Sequence, residues 1–170
     1  MTKVYSLLIL NKSGGLIYQK ELQLGLSKLT ANDYLVLAGT LHGVHAIGSK
    51  LTSNILENSQ RSFNLEDINI QHNQQILQTG KSQNSNCNIL GLKNLETDLF
   101  NLYIYQTVSG LKFIIITKPN LTQVDLNNLN ENFKNLYVAY SDFVMKNPFY
   151  SLDMPIKSQL FDNKVKEILI

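Results

Sequence analysis

The stretch Val4-Tyr5-Ser6-Leu7-Leu8-Ile9-Leu10-Asn11-Lys12-Ser13-Gly14-Gly15-Leu16-Ile17-Tyr18 decides the fold. A run with almost no polar alternation meets a Ser-Gly-Gly turn, and apolar residues resume directly after it. A strand with one solvated face alternates; one that does not is central and covered on at least one face. The stretch therefore predicts a β-hairpin whose first strand is interior. A secretory signal is the competing reading. It fails because the run is short, holds Tyr5 and Ser6, and lacks a small-residue cleavage site.

Outward from the hairpin, Thr30 to Leu51 predicts a helix. Thr30 or Asn32 can cap it, and Asp33 suits its positive end. Leu37, Leu41, Val44, Gly48 and Leu51 recur at helical spacing and mark the expected sheet-facing stripe. From Thr52 to Leu90 the composition turns polar, as in Ser82-Gln83-Asn84-Ser85-Asn86, which predicts an Asn/Gln-rich insertion or flexible loop. Three strands follow: Asn88 to Leu95, Leu99 to Val108, and Leu111 to Thr117, the last two joined at Ser109-Gly110. Leu126, Leu129, Phe133, Leu136, Tyr140 and Phe143 form the stripe of a second long helix that Pro148 ends. A final helix spans Ser158 to Leu169. The order ββαβββαα gives an α+β domain over residues 1–170, a five-stranded antiparallel sheet with one helix on one face and two on the other.

A single domain of 170 residues buries enough surface to need no metal or disulfide. The formal net charge of +2 and the absence of Lys/Arg clusters with interleaved aromatics argue against nucleic acid. One cysteine, Cys87, fits a reducing compartment and has no basic neighbour to activate it. No run approaches the ~20 apolar residues of a membrane span. A soluble, cytoplasmic protein is expected, without direct membrane insertion.

Catalytic tools are not evident. No phosphate-binding glycine motif or metalloprotease motif occurs, so no cofactor is expected. His42 and His45 share one helix at a spacing of three, but no Cys, Asp or Glu at the next turn completes a metal set. His72 lies in the polar insertion. Ser13, Ser141 and Ser151 lack a nucleophile turn, and no His in the C-terminal half can serve as base. Asp142 and Asp153 flank the Pro148 turn, where carboxylates accept local backbone bonds. No catalytic residue and no metal ligand is assigned.

Two surfaces stand out instead. Opposite its expected core stripe, the first helix carries Leu35, Val36, Gly39, His42, Gly43 and Ala46, where a solvated helix carries Lys and Glu. Such a face is covered, either by another protein or by another part of this chain. Between Pro148 and Pro155, Phe149, Tyr150, Leu152 and Met154 crowd a loop. With Ile156 they form either an anchor patch or a strap folded onto the core.

Several stretches resemble the sybindin-family subunits of the TRAPP vesicle-tethering complex, of fungal type. They are Ile9 to Tyr18, Leu35 to Ile47, Phe100 to Thr117 with Tyr105-Gln106-Thr107, and Tyr140-Ser141-Asp142 with Asn147-Pro148-Phe149-Tyr150-Ser151 up to Phe161-Asp162. The resemblance spans nearly everything outside Thr52–Leu90 and implies a longin fold. It also implies a subunit, not catalytic alone, of a complex that promotes nucleotide exchange on the Rab GTPase of ER-to-Golgi transport. Its partners would be a second longin subunit, a palmitoylated α/β subunit and the GTPase. Its place would be peripheral, on the cis-Golgi and ER-derived vesicles. The short insertion here gives no ground for the peptide-binding module some relatives carry. On this reading Leu35, Val36, Gly39, His42, Gly43 and Ala46 meet the GTPase. Asn88, Leu90, Leu92 and Leu95 form the edge strand that joins the partner longin sheet. Phe149, Tyr150, Met154 and Ile156 contact the α/β subunit. The alternative is a longin-type adaptor with no part in exchange. A SNARE would need a heptad helix and an anchor after the longin domain, and neither follows here before Ile170.

Overall fold

The computed structural model describes residues 4–25, 29–59 and 91–170, with side chains described only to 51 in the segment 29–59. Five strands, β1 (Val4–Leu10), β2 (Leu16–Glu21), β3 (Asn94–Glu96), β4 (Asn101–Gln106) and β5 (Lys112–Thr117), form one antiparallel sheet in the order β2-β1-β5-β4-β3. The helices are α1 (Ala31–Ser59), α2 (Gln123–Tyr140), which runs into a π-helical turn at Ser141–Met145, and α3 (Gln159–Leu169). This is the longin-like arrangement, and the order ββαβββαα holds.

The opening hairpin has the predicted character, and the structure sharpens it. Leu7 and Ile9 of β1, with Phe113 and Ile115 of β5, pack beneath α2 and α3. Leu8 and Leu10, with Ile114 and Ile116, pack beneath α1. Both central strands are thus covered on both faces, which is why neither alternates in sequence. An irregularity between Val4 and Ser6 resets the parity. Val4 consequently joins Leu7 on the two-helix side, while Tyr5 packs on the α1 side.

Both hairpins close with three-residue loops. Asn11 N donates to Gly15 O (2.9 Å), and Thr107 N donates to Leu111 O (2.9 Å). Gly14 and Gly110 take the left-handed position that ends each loop, at φ 89° and 88°. The second loop is therefore Val108-Ser109-Gly110, and β4 ends at Gln106, two residues before the predicted Val108. The predicted strand Asn88 to Leu95 is shorter and later, Asn94–Glu96; its expected start lies outside the described residues. Helix α1 continues to Ser59, past the expected end at Leu51. The rest of the insertion, with Cys87 and His72, lies outside the described residues.

Helix starts follow their caps. Of the two candidates for α1, Thr30 is the cap. Its Oγ1 accepts from Asp33 N (3.3 Å), while Thr30 N donates to the Asp33 carboxylate (2.9 Å). The same reciprocal pair, Thr122 and Asp125, opens α2, and Ser158 caps α3. On the two-helix side Tyr105 stacks on Phe133 at 5.3 Å, and Tyr18 meets Phe161 edge-on at 5.0 Å. The Tyr18 hydroxyl and Lys20 Nζ both donate to the Asp162 carboxylate (2.7 and 3.1 Å), tying α3 to β2.

Candidate protein-docking surfaces

Helix α1 sits rotated from the predicted orientation. Its inward stripe is Tyr34, Ala38, Leu41 and His45, four residues at helical spacing, while Val44 and Leu51 of the expected stripe are exposed. Two polar groups can face inward because each has a partner. The Tyr34 hydroxyl donates to Glu21 (2.6 Å), and the two ring nitrogens of His45 face Leu92 O (3.2 Å) and Gln106 Oε1 (2.5 Å). Burial, then the Glu21 carboxylate, push the Tyr34 phenol up to about 12. His42 and His45 do not converge on a shared point: His45 is committed to Leu92 and Gln106, whereas His42 packs against the Gly14 turn. Among the described residues no three His, Cys, Asp or Glu side chains are grouped to hold a metal.

The rotation leaves a broad apolar face in solvent. Leu35 is 56% exposed, Val36 60% and Ile47 63%, with Val44 and Leu51 beside them. Gly39 and Ala46 are exposed on the same side and Gly43 is half-buried. A Cβ added at Gly39 or Gly43 would meet nothing within 4 Å, so neither glycine is required by a contact among the described residues. At Gly48 it would touch Leu92 N at 3.4 Å, an ordinary contact, so that side of the helix packs against the segment at Gly91–Leu92. His42 stands at the flank of the outer face, half-buried, its Nδ1 buried and unpartnered among the described residues. Burial, then the charges of Lys112 and His45, push its pKa down. Ile47, absent from the predicted set, belongs to this face; the apolar periodicity had not singled it out because α1 is apolar on several sides.

The predicted edge divides. Asn88 and Leu90 lie outside the described residues. Leu92 packs beneath α1, whereas Leu95 lies on β3 and is half-exposed. Strand β3 pairs only with β4, so its outer edge is open among the described residues. At the opposite edge, Ile156 N donates to Ile17 O (2.7 Å), and the C-terminal loop covers part of β2.

That loop is two-sided as well. Ile156 is buried and Tyr150 packs against the two-helix core, its hydroxyl donating to Met154 O (2.9 Å). Ile156, buried, and Tyr150, half-buried, anchor the loop from within. Phe149 is 94% exposed, and Leu152 and Met154 project beside it. A cleft of about 320 Å³ lies under the arch, lined by Phe143, Asn147, Phe149, Met154 and Lys157. The described helices include none long and apolar enough to cross a membrane.

Comparison with known proteins places this architecture. Residues 4–170 match the sequence model of the Sybindin-like family. The trafficking protein particle complex subunit 4 of Dictyostelium discoideum is 34% identical over 166 residues, covering 98% of this chain and 96% of that protein. The Homo sapiens subunit 4 is 34% identical over 149 residues, covering 88% of this chain and 51% of that protein, so the chain spans about half the length of its mammalian relatives. A trafficking protein particle complex subunit 2-like protein of Xenopus tropicalis is 35% identical over 74 residues, 44% of this chain and 52% of that one. With the family's sequence matched from the first strand to the last residue and the sheet order in place, the chain belongs to the Sybindin-like family.

Proposed function

We propose that this chain is a subunit of a trafficking protein particle complex, not catalytic alone, and a longin platform on which the assembled complex promotes nucleotide exchange on the Rab-family GTPase of ER-to-Golgi transport. The observation that carries this reading is the outer face of α1, where Leu35, Val36 and Ile47 stand in solvent around Gly39 and Gly43. The relatives' names support the assembly: two different subunits of the same complex resemble this chain.

Exchange of this kind needs no acid or base. It needs a surface that binds the nucleotide-free GTPase better than the loaded one. The outer face of α1, with its His42 flank, is the GTPase seat. The open β3 edge, with Leu95, receives the second longin subunit by strand addition. Phe149 and Met154, joined by Leu152, grip the palmitoylated α/β subunit, and Tyr150 and Ile156 hold them out. The complex works peripherally, on the cis-Golgi and ER-derived vesicles.

Gly43→Arg tests the assignment. The side chain enters open space, so the isolated chain folds, and the assembled complex is expected to lose exchange on its GTPase. Normal exchange by an assembly carrying the variant overturns the GTPase seat. Failure of the unmodified chain to co-elute with the other subunits in size-exclusion chromatography overturns the complex assignment and leaves an adaptor.

A further inference from the structure

Strand β2 is the edge of the sheet opposite β3, and most of its outer side is open. Two bonds fix the direction of its backbone groups. Leu22 N donates to Tyr5 O (2.8 Å), and Asn11 N donates to Gly15 O (2.9 Å). Backbone groups alternate along a strand, so Leu7 and Ile9 turn theirs to β2, and their register partners Lys20 and Tyr18 turn theirs to β1. Gln19 and Glu21 therefore direct their N–H and C=O groups outward. Among the described residues nothing bonds to those groups: β2 pairs only with β1, and the C-terminal loop bonds to the edge at Ile17 O, through Ile156 N (2.7 Å).

A groove of about 300 Å³ runs along this edge, lined by Leu16 to Lys20 of β2, by Pro155 to Lys157 and by Asp162. Its charge is uneven. Tyr18 and Lys20 point to the two-helix side, where both donate to the Asp162 carboxylate. Lys166 acts on the same carboxylate. Lys157 lines the groove, exposed and without an ion pair among the described residues. On that side three ammonium groups thus stand against one carboxylate. The strand's own acid, Glu21, is turned to the α1 side, where it accepts from the Tyr34 hydroxyl (2.6 Å).

We propose that the outer edge of β2 is a strand-addition site for an extended segment of another protein that carries Asp or Glu at alternate positions. The backbone selects an extended occupant. The rung at Ile17 shows that this edge accepts a main-chain partner, and the outward groups of Gln19 and Glu21 continue the ladder from it. Charge complementarity selects its side chains. Alternate residues of a strand share one face, so a segment with acids at every second position sets them beside Lys20, Lys157 and Lys166. Its remaining side chains then fall on the α1 side. The site lies apart from the outer face of α1, so the inference does not rest on the docking reading above.

Amide hydrogen exchange on the full chain, read by NMR, tests this with acetyl-Glu-Val-Glu-Val-Glu-amide as the probe. In the free chain the amides of Gln19 and Glu21 are expected to exchange freely, and the peptide is expected to slow them at least tenfold, less so as salt is raised. Gln19→Pro removes an outward N–H that the fold does not use, a change edge strands tolerate, and is expected to abolish binding. Lys157→Glu alters an exposed side chain, leaves the fold intact and is expected to weaken binding at least fivefold, which keeps the test decisive if the proline variant fails to fold. No slowing up to millimolar peptide overturns the proposal, as does equal binding of acetyl-Lys-Val-Lys-Val-Lys-amide. Slowing confined to Asn94–Glu96 moves the site to β3 and overturns it too. Gln19 and Glu21 amides already protected in the dilute free chain mean that another part of this chain takes the edge. Protection that grows with protein concentration, without peptide, means that a second copy does, and either result overturns the assignment to another protein.

Discussion

Replacing Gly39 and Gly43 together by alanine should make this chain more stable and less able to dock. Both glycines lie in the interior of α1, where glycine costs about 0.8–1 kcal/mol relative to alanine through backbone entropy. The added methyls meet nothing within 4 Å, so no packing loss offsets the gain. The pair should therefore stabilise the isolated chain by about 1.6–2 kcal/mol, a rise in Tm of about 3–8 °C for a domain of this size. Differential scanning calorimetry measures that directly. On the partner's side the same two methyls fill space that a closely approaching backbone needs. Overpacking a fitted contact costs about 1–3 kcal/mol, or roughly 5- to 150-fold in affinity. Isothermal titration of the chain, or of the assembly that carries it, against its docking partner measures the second effect. A lower Tm would mean that the glycines serve the chain's own fold. An unchanged affinity at raised Tm would mean that the outer face of α1 touches nothing that matters, and the reasoning from small residues would fail.

Two further outcomes follow from the loop and from the β2–α3 tie. Phe149→Ala should leave Tm within a degree or so, since the ring is 94% exposed, yet weaken co-elution with the α/β subunit; Ile156→Ala should cost about 2–5 kcal/mol of stability in a denaturant titration, because Ile156 is buried. Burial alone would raise the Asp162 carboxyl, but the Tyr18 hydroxyl and then Lys20 hold it below the ordinary carboxylate value; the tie therefore contributes fully above about pH 4 and is lost as pH falls through the lowered folded-state value, so Tyr18→Phe should destabilise at neutral pH and shrink the loss of stability on acidification, by about 1 kcal/mol or less given the partial exposure of the Lys20–Asp162 pair.

The elements that sequence reading located were those whose chemistry is local. The unalternating Val4–Leu10 run marked a central strand because two-sided burial leaves no polar positions, and Thr30, one of the two cap candidates, sits where a side-chain cap must sit. The rotation of α1 was not legible. Leu37, Val44 and Leu51 compete with Leu35, Val36 and Ile47 for the core, and the inward stripe is settled by Tyr34 and His45, whose partners Glu21, Leu92 and Gln106 are distant in sequence. The short strand Asn94–Glu96 was misplaced for a similar reason: its register depends on pairing with Asn101–Tyr103 and not on its own composition. In the C-terminal loop, crowding of aromatics between prolines was visible, but which of them point inward is decided by Ile17 O and the two-helix core.

Where the core is saturated, function is left to the outside. Strands β1 and β5 are covered on both faces, so the sheet's solvated surface lies on its edge strands β2 and β3. Among the apolar side chains left in solvent, two groups lie in separate places: the outer side of α1, and the arch from Phe149 to Met154. On the proposed function the open β3 edge is a third, backbone-driven site, and the three stand on different elements of the fold. One of these features is also unfavourable to the chain alone: the helical glycines of α1 cost backbone entropy. A sequence free to optimise an isolated domain would replace both glycines with alanine, since the added methyls meet nothing within 4 Å. On the docking reading, glycines that weaken the monomer while serving no contact among the described residues are explained by the assembled state, and gain in monomer stability coupled to loss of docking is the signature to measure.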